Sequence, residues 1–337
     1  MFDVLELHRK LAAAARASGA ERTGVGQTLA ELARPFVDEV TTDVMGNVIC
    51  RKKGDGARIM LSAHMDAIGF MVRGIDKDGF VTVTGIGGHT PARLLNCRVV
   101  FPNGVRGTFG LRERGKVLSG SWADVSFDDL YLDIGAADGE EARSLVKIGD
   151  TAVFEGEPRL IADNRIMGPY ADDLIGCVVL LLAMEKLKES RFDTYFVFSV
   201  QEEVGCRGAL SAAQAIRPAF GIACDVCGTD DTPQVKHSNR TLVPGNGPTV
   251  KLKDGSVLCD PALNAALMKT AQEQGIAVQP EILVYGGTDT SSMQRALENV
   301  AATCVSIPTR YIHSPAETYD RSDAERAGAL LAAFLSK

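Results

Sequence analysis

From Asp172 to the C-terminus, short apolar runs and longer helical stretches take turns, and this alternation limits the chain to few folds. The pattern predicts a helix from about Asp173 to Glu189 and a strand over 195–200. A helix after Gly208 leads to a strand over 219–226, and a helix from Pro261 to about Gln274 leads to a strand over 278–284. A helix around 290–297, a strand over 300–307 and a terminal helix from about Ser322 complete the series. Strands alternating with helices form an α/β sheet whose faces the helices cover.

Residues 67–160 have a different texture. Short alternating runs are broken by turn signals such as Asp76-Lys-Asp-Gly79, Gly85-Ile-Gly-Gly88, Pro102-Asn-Gly104 and Glu155-Gly156. That spacing predicts a small β-rich domain, with Gly139 to Lys147 as its only helix. Residues 1–66 read as a helix followed by strands, one pair around the turn Asp43-Val-Met-Gly-Asn47 and a third over 58–63. With 337 residues the chain exceeds what one core usually serves. The expected organisation is a discontinuous α/β catalytic domain, 1–66 and 161–337, interrupted by a β-rich insertion, 67–160.

The residues at the strand ends carry the chemistry. Glu202 and Glu203 follow the run Tyr195-Phe-Val-Phe-Ser-Val200. Adjacent carboxylates repel and are costly to bury, so something cationic must hold them. His64 and Asp66 follow the strand over 58–63, Asp225 ends another, and His313 follows a fourth; Asp172 starts a buried helix. Ligands of open α/β sheets bind beyond the carboxyl ends of the strands. Two imidazoles and several carboxylates gathered there suit divalent metal.

At this point the sequence resembles a known family. His64-Met-Asp-Ala-Ile-Gly-Phe70, Tyr170-Ala-Asp-Asp-Leu-Ile-Gly176, Glu202-Glu-Val-Gly205, Gly286-Gly-Thr-Asp289 and Arg310-Tyr-Ile-His-Ser-Pro-x-Glu317 are similar to the M42 metallo-aminopeptidases, which include glutamyl aminopeptidases and the tetrahedral TET peptidases. The resemblance implies a mixed sheet flanked by helices, of the dinuclear metallo-exopeptidase type, with an inserted PDZ-like domain. It implies two divalent ions per subunit, zinc first, with cobalt or manganese as substitutes. Asp172 would bridge them, His64 and Asp225 would complete one, and Glu203 and His313 the other. Glu202 would be the general base, and Asp66 would orient His64 by a hydrogen bond. Metal-activated water, deprotonated by Glu202, would then cleave N-terminal residues from short peptides. The family also implies a homo-oligomer, commonly a dodecamer. Its usual Arg two residues after the bridging Asp is Leu174 here.

Other readings stay open. The same metal site could serve an amidohydrolase that deacylates N-acyl compounds. An endoglucanase-like glycoside hydrolase is a third reading, although that chemistry normally uses two carboxylates without metal. Gly286-Gly-Thr-Asp289 either lies near the pocket for the first side chain or simply makes a turn and caps a helix. Arg207 either orients a carboxylate or makes a structural ion pair. His8 is expected at the surface, and His89 and His237 away from the site. Trp122 is expected in a local core. A net charge of −7 with scattered basic residues argues against nucleic acid. The most apolar segment, Ile175 to Met184, is roughly half of a membrane span, and the charged N-terminus reads as an amphipathic helix; both place the protein in the cytoplasm, off the membrane. The eight cysteines sit singly in apolar runs and read as buried free thiols, Cys224 among them.

Overall fold

The computed structural model describes residues 2–112, 122–233, 242–298 and 300–337. The chain opens with helices α1 (Val4–Ala13) and α2 (Val25–Ala33), then strands β1 (Glu39–Thr42), β2 (Val48–Lys52) and β3 (Arg58–His64). Next come β4 (Gly69–Ile75), β5 (Val81–Ile86), β6 (Arg98–Val100), β7 (Arg106–Leu111), β8 (Leu130–Asp133), helix α3 (Gly139–Leu145) and β9 (Thr151–Phe154). The rest runs β10 (Arg159–Ala162), β11 (Arg165–Gly168), α4 (Ala171–Lys186), β12 (Asp193–Ser199), α5 (Arg207–Ile216) and β13 (Phe220–Gly228). After these lie β14 (Thr249–Lys253), α6 (Pro261–Gln274), β15 (Gln279–Ile282), α7 (Asp289–Ala296), β16 (Ala301–Arg310), β17 (Glu317–Asp320) and α8 (Arg321–Leu335).

Eleven of these strands form one mixed sheet, ordered β1-β2-β12-β3-β13-β16-β17-β11-β10, with β14 and β15 branching from β16. Strands β4 to β9 close into a separate barrel. The centre of the sheet is parallel: β3 pairs with both β12 and β13, and β13 with β16. Their carboxyl ends therefore share one edge. The register sets Ser199 beside His64 and Asp225 beside Ser306, so residues remote in sequence arrive together.

Helix α4 is buried nearly all round, from Leu174 to Met184, because it is sandwiched between the sheet and α8. Gly176 makes that approach possible. A Cβ there would lie 2.5 Å from the Asp173 carboxylate and 2.7 Å from the Cys224 carbonyl oxygen. The Leu174 side chain, fully buried, packs in this core. Among the described residues no helix is long and apolar enough to cross a membrane.

Some expectations need correction. His8 is not at the surface. It lies on the inner face of α1, fully buried, and its ring nitrogens meet the Tyr319 hydroxyl and the Pro169 carbonyl oxygen, each at 3.1 Å. Burial pulls its pKa down to about 4. Trp122 is half exposed rather than in a core. Helix α2 was not foreseen, and α3 shares its region with 3-10 turns at Pro91–Leu94, Trp122–Asp124 and Phe127–Asp129. His237 falls outside the described residues.

Candidate metal centre

His64 ends β3, Glu202 and Glu203 follow β12 and Asp225 lies within β13. Asp172 opens α4 and His313 occupies the turn between β16 and β17. All of them line one cavity of about 1200 Å³ at the carboxyl edge of the sheet. His64 Nε2 lies 3.0 Å from Asp172 Oδ1, and His313 Nε2 lies 3.3 Å from Asp172 Oδ2. One carboxylate thus presents each oxygen to a different imidazole. His313 Nε2 is also 3.3 Å from Glu203 Oε2. Ligand atoms of His64, Asp172 and Glu203 lie within 4.8 Å of one another, as do those of His64, Asp173 and Asp225.

Backbone clamps hold these groups. The Asp66 carboxylate, fully buried, accepts the Glu202 and Glu203 N–H groups at 3.0 and 3.3 Å and the Ser18 hydroxyl at 2.6 Å. Glu21 Oε1 accepts the preceding Gln201 N–H at 2.9 Å. The hydrogen bond expected from the Asp66 side chain to His64 is made differently. His64 Nδ1 meets the Asp66 backbone carbonyl oxygen at 3.1 Å, while the carboxylate is 3.6 Å away. The carbonyl fixes the tautomer, which leaves the carboxylate free for the amides of the next strand end.

Glu317 is the residue whose role the sequence left unread. It is buried, and it accepts the Asp172 N–H at 2.9 Å and the His313 N–H at 2.8 Å. Its carboxyl ties together two of the chain segments that face each other. Glu317→Ala is expected to weaken metal binding by about 10- to 100-fold, in the range for residues that orient ligands. Titration of the stripped protein with metal measures this, and an unchanged affinity would remove Glu317 from the site.

The backbone is unusual here. Tyr170, Gln201, Cys206, Tyr311 and His313 all have φ between 51° and 66°, the left-handed region that residues with a Cβ seldom adopt. Cys206, Tyr311 and His313 line the cavity itself, and Tyr170 and Gln201 lie next to segments that do, a clustering of the kind of stored strain found at functional sites. Asp172 and Asp173 also depart from helical geometry, so α4 becomes regular only beyond them. The barrel closes the other side. A Cβ at Gly88 would lie 3.0 Å from the His313 ring, so a larger residue here would have to push the imidazole aside.

The electrostatics fit a cation. Burial, followed by the charges of Asp225, Asp289 and Glu203, holds Glu202 well above the usual carboxylate range. Burial and the Asp172 charge also raise Glu203, and Glu203 Oε1 is buried without a hydrogen-bond partner. Burial likewise pushes Asp225 up. The nearby Lys251 ammonium is already held by Asp254 and Glu281 at 3.0 and 3.1 Å, and Arg310 by Asp231 at 2.9 Å. Carboxylate oxygens and imidazole nitrogens gathered within ligand distance of one another suit a divalent ion.

Other expected residues lie at the rim. Gly286, Gly287 and Thr288 line the same cavity, and the turn ends in a cap on α7 made by Thr288, whose side chain accepts the Thr290 N–H. Arg207 reaches the Gln201 side-chain oxygen at 3.5 Å. His89 lies in the barrel, against the Gly69 carbonyl oxygen at 2.8 Å.

A mixed sheet with carboxylates and imidazoles gathered at its carboxyl edge defines a metal-dependent hydrolase. The chain belongs to the M42 glutamyl aminopeptidase family, whose profile matches residues 46–330. It is 35% identical to a lysyl aminopeptidase of Pyrococcus furiosus, over 98% of this chain and 96% of that one. Aminopeptidase APDkam598 from Desulfurococcus kamchatkensis superposes with a TM-score of 0.94 at 36% identity, over 98% of this chain and 94% of the other. The TET1 peptidase of Pyrococcus horikoshii, which can assemble into a tetrahedron or a large octahedral shell, superposes with a TM-score of 0.87 at 29% identity, over 99% of this chain and the whole of the other. The protein is a metal-dependent aminopeptidase, a hydrolase of peptide bonds.

Proposed function

We propose that the protein removes N-terminal residues from short peptides with two divalent ions and Glu202 as general base. The observation that carries this reading is the Asp172 carboxylate, whose two oxygens face His64 and His313 separately. Asp172 would be shared between the ions, His64 and Asp225 would complete one, and Glu203 and His313 the other. Zinc suits this donor set, with cobalt or manganese as substitutes. When bound, such ions bring the pKa of water toward neutrality and offset negative charge on the carbonyl oxygen.

The chain's own residues supply the proton transfers. The Cys206 thiol donates a hydrogen bond to Glu202 Oε1 with sulfur and oxygen 3.0 Å apart, whereas Oε2 lies 4.0 Å from His64 Nε2. Oε2 therefore faces the centre and is the oxygen that would accept a proton from water and return it to the leaving amine. Asp66 fixes the backbone from which this carboxylate projects. The α/β unit would comprise 1–66 and 161–337, and the PDZ-like barrel unit, 67–160, would join copies into a homo-oligomer such as a dodecamer. The cysteines are free thiols, which suits the reducing cytoplasm.

The test uses stripped protein reloaded with zinc, cobalt or manganese and offered a peptide with a free α-amine beside its N-acetylated twin. Cleavage of the free-amine peptide alone is the expected result. Cleavage of the acetylated twin would establish the deacylase instead.

A further inference from the structure

Glu202 faces two ways, and its second neighbourhood is a donor cluster that the hydrolytic centre does not use. Donor atoms of Glu202, Cys206 and Asp289 all lie within 4.8 Å of one another. Asp289 is 2% exposed. Its Oδ2 accepts the Ser62 and Ser199 hydroxyls at 2.6 and 2.5 Å, while Oδ1 is buried with no hydrogen-bond partner. Leaving such an oxygen unpaired is costly, and a native structure that does so calls for an explanation. Glu202 and Cys206 both line the large cavity, so a small solute can reach them.

We propose that Glu202, Cys206 and Asp289 form a separate, inhibitory cation site that takes a soft divalent ion such as zinc or cadmium. The proposal rests on the reading of Glu202 as general base. One sulfur and two carboxylate oxygens favour zinc or cadmium over manganese or magnesium. Three protein ligands leave a fourth position for water, as zinc accepts. On binding, the Cys206 S–H bond breaks, its proton leaves to solvent and a sulfur–metal bond forms; nothing is oxidised or reduced. Oδ1 of Asp289 gains a partner. Glu202, now a ligand through the oxygen that faces Cys206, becomes a much weaker base at Oε2. Metal in excess of the hydrolytic pair therefore stops the enzyme that the first ions switch on.

Cobalt gives a direct readout, because a thiolate ligand produces a sulfur-to-cobalt charge-transfer band that imidazole and carboxylate ligands do not. The full-length protein is first loaded to maximal activity with Co2+ and then titrated with more. The band is expected to grow only in this second phase, with activity falling in step. Cys206→Ser and Cys206→Ala are expected to lose the band and the excess-metal inhibition, each scored against its own starting rate. Asp289→Asn is expected to weaken both. In the unmodified protein zinc and cadmium in excess should inhibit, and manganese should not. Absence of the band, its persistence in the Cys206 variants or their undiminished inhibition would overturn the proposal. Circular dichroism and thermal unfolding identify any variant that fails to fold, and the unmodified protein's own titration decides the matter without them. Failure of the first ions to restore hydrolysis would instead sink the catalytic reading, since the band is read independently of turnover.

Discussion

Glu202→Gln is expected to keep its metal and lose turnover by roughly 10²–10⁴-fold, the usual contribution of a positioned general base. Glutamine has the same shape, so the bonds from the Glu202 and Glu203 N–H groups to Asp66 should survive. What it lacks is an oxygen able to accept a proton. The loss should fall on kcat, with KM little changed, because the proposed proton transfers belong to the transition state rather than to ground-state binding of the peptide. Metal analysis of the same sample separates base from ligand. If metal content fell together with activity, Glu202 would be a ligand. A rate close to the parent's would mean that another group takes the proton.

The sequence made the parallel core legible because β3, β12, β13 and β16 are apolar runs bounded by polar residues. A parallel sheet brings their carboxyl ends to one edge, so His64, Glu203, Asp225 and His313 could be placed together from sequence. What could not be read depends on partners distant in the chain. Glu317 closes a motif that carries the family resemblance, but its role appears only when the fold sets it against the Asp172 and His313 amides. His8 lies on a helix with no visible polar partner, and only the packing of α1 supplies Tyr319 and Pro169. The left-handed backbone at Tyr311 and His313 carries no composition signal, since neither is glycine. Trp122 invites a core assignment by size alone, yet half of it faces solvent.

The buried acids divide into two groups that the sequence does not distinguish. Asp66 and Glu317 spend their oxygens on backbone N–H groups and shape the cavity wall. Glu203 keeps a buried oxygen without a hydrogen-bond partner and aims its other oxygen at His313. Hydrogen-bond accounting thus separates clamps from candidate ligands where proximity in the chain cannot: Asp66 is two residues from His64 and Glu317 four from His313.

Removing the Asp172 carboxylate, which faces both imidazoles, should be more damaging than removing either imidazole. In Asp172→Ala both His64 and His313 lose the oxygen that faces them. The expected result is a protein that holds neither ion tightly and has no measurable peptidase activity, whereas His313→Ala should weaken one ion and spare the other. Stability supplies a second readout. Metal that binds only the folded state stabilises it by about 4 kcal/mol at a thousandfold excess over Kd. Thermal unfolding of the unmodified protein should therefore rise with added zinc and fall on chelation, while that of Asp172→Ala should respond to neither. Glu317 would still hold the Asp172 and His313 N–H groups, so the variant is expected to fold. Two ions per chain retained by Asp172→Ala would show that the carboxylate does not bridge them, and the centre would have to be rebuilt around Glu203 and Asp225.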